Sequence, residues 1–202
     1  MCSHFTIRNM QQTINFLIKQ GLPVVAKIPG EEEDFPLEVF PKTQTPVLLY
    51  ENDQLLLKPL SFGYPNPFDE KKPPIFNARI ERFYSEKPSM WDESFARKRC
   101  LIVAERFFES HPKETILNEK TGRKKKQQYE FKLAEADLFY MAGIYEDDHF
   151  AIVTTEPNAE ITPYHDRMPL VLQPDEIRTW LFQNFTPLVD RENISLNIKK
   201  AS

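Results

Sequence analysis

The chain has 202 residues, enough for one well-buried core and short for two, so a single domain over 1–202 is expected. Hydrophobic residues make up 41% of it, with sixteen Phe, which excludes a disordered polymer, and two cysteines exclude a disulfide framework. A net charge of −4 argues against a uniformly basic nucleic-acid coat and leaves room for a locally positive face.

The N-terminal stretch lacks the succession of a leader peptide, and no eighteen apolar residues follow one another, so a soluble cytoplasmic protein with no membrane partner is expected. The scattered His4, His111, His149 and His165 show no paired metal-ligand spacing, so neither metal nor cofactor is called for.

In chain order, a short apolar start at 4–7 precedes Met10, Ile14 and Leu17 at helical spacing, with Gly21 and Pro23 ending that helix. Segments 47–51 and 54–58 flank Asn52-Asp53 as a β-hairpin, with Pro59 limiting the second strand. Residues 61–74, rich in Pro, Asn, Asp and Gly, read as an irregular loop exposing Phe62, Tyr64 and Phe68. Pro88-Ser89 open a helix through Trp91 and Phe95, and strands follow at 100–103, 127–133, 139–144 and 150–154, the last two joined by a turn at Asp147-Asp148. Pro174-Asp175-Glu176 start a final helix with Ile177, Trp180 and Leu181. The acidic runs at 31–34 and 146–148, and the basic runs at 97–99 and 120–126, read singly as solvated surface. Without strand–helix alternation, the class is a mostly antiparallel α+β fold.

Cys2 directly follows Met1, so loss of Met1 leaves an amine and a thiol on one residue. An α-amine titrates near about 7.7–8.0 against about 10.4 for lysine, so far more of it is neutral and nucleophilic at pH 7. Such an amine condenses with an aldehyde, and the adjacent thiol closes the imine to a five-membered thiazolidine, a step closed to lysine. His165 and Arg167, two apart in Tyr164-His165-Asp166-Arg167-Met168-Pro169, point the same way from an extended edge toward a shared anionic ligand. Asn77 and Arg79 repeat that spacing, one able to orient an amine or carbonyl and the other to hold a phosphate. Glu109 follows the aromatic pair Phe107-Phe108, where desolvation favours a general acid; Glu105 is its rival, and spacing does not choose between them.

Taken together, Met1-Cys2, Phe76-Asn77-Ala78-Arg79, Lys87-Pro88, Arg99-Cys100-Leu101-Ile102 leading to Phe107-Phe108-Glu109, and His165-Asp166-Arg167-Met168-Pro169-Leu170 resemble, in order, the SRAP-domain family of abasic-site processing proteins. The resemblance runs from Cys2 to about Leu181. It implies a sheet closing into a small β-barrel-like core surrounded by helices, and a monomer whose partner is single-stranded DNA containing abasic sites. By residue matching it implies that Cys2 crosslinks the abasic sugar and that Asn77 positions its amine. It also selects Glu109 as the acid and has His165 assist proton transfer, Arg79 and Arg167 hold phosphates, and Thr154 line the site. Self-removal of Met1 and weak lyase activity are further implications. Departures from the family pattern fall at Ser3-His4 in place of Gly-Arg, Phe62 and Phe68 in place of tryptophans, and Glu105-Arg106 and Ser110, all bearing on DNA affinity. Two other readings use the same residues: a thiol peptidase or amidohydrolase acting through Cys2, and a non-catalytic single-strand binding module tracking phosphates with Arg79, Arg167 and the 123–126 run.

Overall fold

A computed structural model of the chain describes residues 2–26, 35–69, 71–118 and 121–201. Met1, the acidic run at 31–34 and Lys120 lie outside the described residues. The chain runs through β1 (Phe5–Thr6), α1 (Met10–Lys19), β2 (Val24–Ala26), β3 (Glu38–Val39), β4 (Gln44–Glu51), β5 (Gln54–Phe62) and β6 (Asn77–Arg79). It continues through α2 (Asp92–Arg97), β7 (Arg99–Ala104), β8 (Arg106–Leu117), β9 (Lys124–Leu133), β10 (Phe139–Glu146) and β11 (His149–Thr155). β12 (Met168–Pro169), β13 (Val171–Leu172), α3 (Ile177–Phe182) and β14 (Leu196–Lys200) complete it. The class is α+β, with sheet predominating.

Helix α1 begins where the Asn9 side chain accepts the Gln12 N–H at 2.9 Å, and it ends at Gly21, whose φ of 73° suits a residue without Cβ. The hairpin forms on Asn52 and Asp53, both at positive φ, so their short polar side chains close the tight turn expected of them. Pro59 does not end the second strand. It sits opposite Pro46, a pairing that costs no ladder bond where neither residue is asked to donate, and β5 runs on to Phe62.

That continuation also overturns the exposure expected of Phe62 and Tyr64. Phe62 is fully buried and stacks on Phe150 at 5.1 Å, and the buried Tyr64 donates its hydroxyl to Ser94 at 3.0 Å. Phe68 alone of the three is exposed, at 86%. Helix α2 starts later than Pro88: Ser89 instead forms the preceding turn, its N–H donating to Asp92 and its hydroxyl accepting from Trp91. The basic run around 124–126 is exposed, as expected of solvated surface, and its backbone forms the start of β9, paired antiparallel with the end of β8.

β11, β10, β7, β4 and β5 neighbour one another in that order, and β5 returns to β11 through the parallel pairs His149↔Ser61 and Phe150↔Phe62. The result is a ring of strands closed by a short parallel seam. Residues alternate across it: Leu49, Cys100, Ile102 and Ile152 face one cluster with Phe5, Phe107 and Phe131 from the second sheet, while Leu48, Leu101 and Val153 face Leu17, Phe95 and Trp180 from the helices. Trp180 anchors α3 by donating Nε1–H to the Cys100 carbonyl at 2.9 Å.

Gly143 on β10 sits where the ring leaves no room for a side chain. A Cβ there would lie 2.5 Å from Ile102 Cδ1 and 2.9 Å from Cys100 Sγ. Gly143→Ala is therefore expected to lower unfolding free energy by about 1–3 kcal/mol, the usual cost of overpacking, measured by urea titration. An unchanged midpoint would show that Ile102 relaxes freely.

Candidate functional site

Strand pairing assembles the site. β1 lies antiparallel to β8 with Phe5 opposite Phe107, and the Phe108 N–H donates to the His4 carbonyl at 3.0 Å. Moving back toward Cys2 on one strand is thus moving forward toward Glu109 on the other. β6 runs parallel to β11 with Asn77 opposite Ile152 and Arg79 opposite Thr154, and β12 borders the same end of β11 through Thr154↔Pro169. The 156–167 connection returns His165 and Arg167 to that edge.

Cys2 is 1% exposed. Its Sγ–H donates to the His4 carbonyl at 3.7 Å, and its own carbonyl accepts Asn77 Nδ2–H at 3.1 Å. Burial first, and the Glu109 charge second, push the thiol well above its ordinary range, so it stays protonated at neutral pH. Burial also pushes the Glu109 carboxyl up to about 7, placing a proton donor in the physiological range. Asn77 Oδ1 and Thr154 Oγ1 are buried with no hydrogen-bond partner among the described residues, leaving polar capacity at the base of the site.

His165 Nε2 stands 3.8 Å from Glu109 Oε2. Its Nδ1 accepts the Arg167 backbone N–H at 3.0 Å, with the exposed Asp166 carboxylate 2.9 Å away. A neutral ring cannot both accept from Arg167 and donate to Asp166 through one nitrogen. The backbone bond is the better-fixed of the two, since Asp166 is 82% exposed and solvated, and it places the ring proton on Nε2, toward Glu109. Burial lowers the imidazole pKa, which keeps the ring neutral at pH 7.

Glu105 differs in kind. Burial works against its ionisation, yet Arg106, Arg8 and Lys132 overcome that and hold it below the usual carboxylate range. It is a structural anion tying β1 to β8, and Glu109 is the carboxyl that retains a proton. His4 is likewise turned away from any phosphate: it stacks between Phe40 at 4.3 Å and Phe108 at 4.0 Å and pairs with Glu38.

An open cleft of about 970 Å³ brings together Arg79, Glu109, Lys126, His165 and Arg167. Ser3 reaches the cleft, while its neighbour Cys2 and Asn77 are buried beside it and Thr154 is buried behind it. Arg79 is exposed and forms no ion pair among the described residues, so its fork is open to an anion. The Arg167 fork is occupied by Glu81, at 2.8 and 2.9 Å, and its Nη2 also donates to the Thr154 carbonyl at 2.8 Å. Sequence reasoning missed Glu81, which lies in the helical turn Ile80–Tyr84 beyond β6, where the two-residue spacing that linked Asn77 to Arg79 no longer places side chains on one side. Lys126 was legible only as part of a basic run, and the β8–β9 pairing brings it to the cleft wall.

Buried Cys2, the proton-holding Glu109, His165 and the open Arg79 thus gather at one end of β11 in a sheet-dominated α+β protein. Residues 1–198 match the model of the SOS response associated peptidase (SRAP) family, and the chain belongs to that family. It is 31% identical over 196 residues to the abasic site processing protein YoqW of Bacillus subtilis, covering 90% of this chain and 80% of that one. It is 28% identical over 196 residues to the abasic site processing protein YedK of Escherichia coli, covering 92% and 82%. A crystal structure of a Bordetella bronchiseptica protein superimposes with a TM-score of 0.70 over the whole of both chains at 16% identity. One from Bacteroides thetaiotaomicron also gives 0.70, at 20% identity, over 98% of this chain and 91% of that one. At those identities the solved structures speak for the fold.

Proposed function

We propose that this protein, acting as one domain and as a monomer, processes abasic sites in single-stranded DNA by capturing the open sugar on Cys2. The observation that carries this reading is the grouping at Cys2: a main chain held by Asn77, and Glu109, a carboxyl pushed up to about 7, beside His165. The name borne by the curated relatives supports it.

The chemistry begins with hydrolysis of the Met1–Cys2 peptide, which consumes one water and frees the Cys2 amine. The neutral amine adds to C1′ of the ring-open sugar, and the carbinolamine loses water to give an imine as Glu109 supplies the proton to the departing oxygen. The thiol then adds across the C=N bond: the S–C bond forms, the proton passes to nitrogen, and a thiazolidine joins protein to DNA. His165 serves the proton at the sugar oxygen, Thr154 lines the site, and Arg79 faces a flanking phosphate, whereas Arg167, expected to hold another, has its fork taken by Glu81 and braces the cleft wall instead. An imine that escapes closure undergoes β-elimination, giving weak lyase activity.

Burial that holds the thiol above its ordinary range supports this route over a thiol peptidase, whose nucleophile needs its pKa lowered. Here the amine attacks first and the thiol second, so a low thiol pKa is not required. The test mixes purified protein with single-stranded DNA carrying one abasic site. Intact mass spectrometry is expected to show a chain lacking Met1, increased by the mass of the oligonucleotide less one water. Absence of that adduct with Met1 removed, together with turnover of a peptide substrate, would favour the peptidase.

A further inference from the structure

Glu81 belongs to the single helical turn at Ile80–Tyr84 that follows β6, and nothing in the proposed chemistry uses it. Its carboxylate nevertheless makes the most directional ion pair in the site, both oxygens meeting the two terminal nitrogens of Arg167 at 2.8 and 2.9 Å. Arg167 is buried and also donates from Nη2 to the Thr154 carbonyl, so its guanidinium is fastened to β11 on one side and to the turn after β6 on the other. The backbone N–H of this same residue caps His165 Nδ1 at 3.0 Å.

We infer that Glu81 is a positioning residue for the site, acting through Arg167 to fix the tautomer and orientation of His165 so that its Nε2–H faces Glu109. The inference rests on the proposed role of His165 but names a residue outside that machinery. The chain of contacts is short and each link is directional. The fork fixes the Arg167 side chain, the fixed side chain sets the main chain at 167, and the main-chain N–H decides which ring nitrogen carries the proton. An imidazole released from that N–H would share its proton between both nitrogens and turn within the cleft, facing Glu109 for part of the time only. Glu81 is partly exposed, with 47% of its side-chain surface open, so its replacement leaves a solvated hole rather than a cavity in the core.

The experiment has two arms. In the first, ¹⁵N spectra of the imidazole are recorded on the protein alone. The native protein is expected to show Nδ1 unprotonated and Nε2 protonated, and Glu81→Gln to show averaged signals. An unchanged spectrum in Glu81→Gln, with the melting temperature confirming the fold, overturns the inference whatever the protein's activity. In the second arm, covalent capture of abasic single-stranded DNA is followed to saturation. Glu81→Gln is expected to lower the maximal rate roughly ten- to a hundredfold, the usual effect of a misplaced catalytic group, with the half-saturating DNA concentration unchanged. In a His165→Ala background the same change is expected to cost nothing further, because its path through His165 is already cut. Equal slowing in both backgrounds, or a raised half-saturating concentration at full maximal rate, overturns it in favour of a structural or DNA-gripping role. If the native protein forms no adduct, the crosslinking reading falls while the spectra still decide what Glu81 does.

Discussion

Cys2→Ala is expected to abolish the heat-stable adduct with abasic DNA while leaving salt-sensitive binding to intact single strands in place. The alanine chain still offers an α-amine once Met1 is gone, so the imine still forms; what is lost is the sulfur that closes it. The expected signature is therefore more specific than inactivity. No adduct survives heating, borohydride reduction still traps an imine, and strand nicking by β-elimination rises relative to capture because ring closure no longer competes for the intermediate, which otherwise only hydrolyses back. The fold should tolerate the change. Cys2 is buried, but the thiol's one hydrogen bond is a long 3.7 Å contact to the His4 carbonyl, and removing one sulfur from an apolar setting costs about 1 kcal/mol. Binding to DNA without an abasic site isolates the charge contribution of the cleft, which steepens with falling salt. A heat-stable adduct formed by Cys2→Ala would place the covalent bond elsewhere on the chain and end the thiazolidine mechanism.

What the sequence carried was mainly the chemistry held in short segments. Asn77 with Arg79 was legible because alternate residues of the extended β6 share a side, whereas His165 and Arg167 flank a bend at Asp166, with the Arg167 N–H folded back onto the His165 ring, so the extended edge expected of them is a turn that still delivers both to the end of β11. Glu109 and Glu105 were indistinguishable by spacing. The difference lies first in Arg106, the next residue in sequence, whose turn toward Glu105 only the fold decides, and then in Arg8 and Lys132, which arrive from distant parts of the chain. Phe62 failed as an exposed aromatic for a related reason: a proline normally ends a strand, and only pairing with a second proline on β4 lets β5 continue into the core. The outer part of the β8–β9 ribbon, beyond the strand expected at 127–133, was hidden because β9 opens with three consecutive lysines, whose charges suit an exposed two-stranded edge as well as they suit a loop. His4 stood where an arginine was expected, and its stacking between two phenylalanines depends on β3 and β8 lying on either side of β1.

Glu109→Gln is expected to slow capture by about two orders of magnitude and to stabilise the protein at alkaline pH, and the two effects share one cause. The native carboxyl is held near 7 by burial, against about 4.3 when the chain is unfolded, so the folded protein keeps a proton that the unfolded chain has lost. Below about 4.3 both states are protonated and the residue costs nothing. Between about 4.3 and 7 the cost grows, and above 7 it is present in full at about 4 kcal/mol, so native stability falls as pH rises through that window. Glutamine carries no charge to desolvate. Urea titrations of the two proteins should therefore coincide near pH 4 and separate by pH 8 with the variant the more stable, and coincidence at both pH values would mean that the carboxyl titrates normally. The rate shows the other side of that arrangement. In the native protein, capture should pass through a maximum near neutrality, because the Cys2 amine gains its lone pair with rising pH while Glu109 gives up its proton. Glu109→Gln lacks the falling limb, so its slow rate should climb with pH until the amine is fully neutral. A native maximum that persisted unchanged in the variant would assign the acid to another group in the cleft, with His165 the next to test. The carboxyl that weakens the fold above pH 7 would then have no part in dehydrating the carbinolamine.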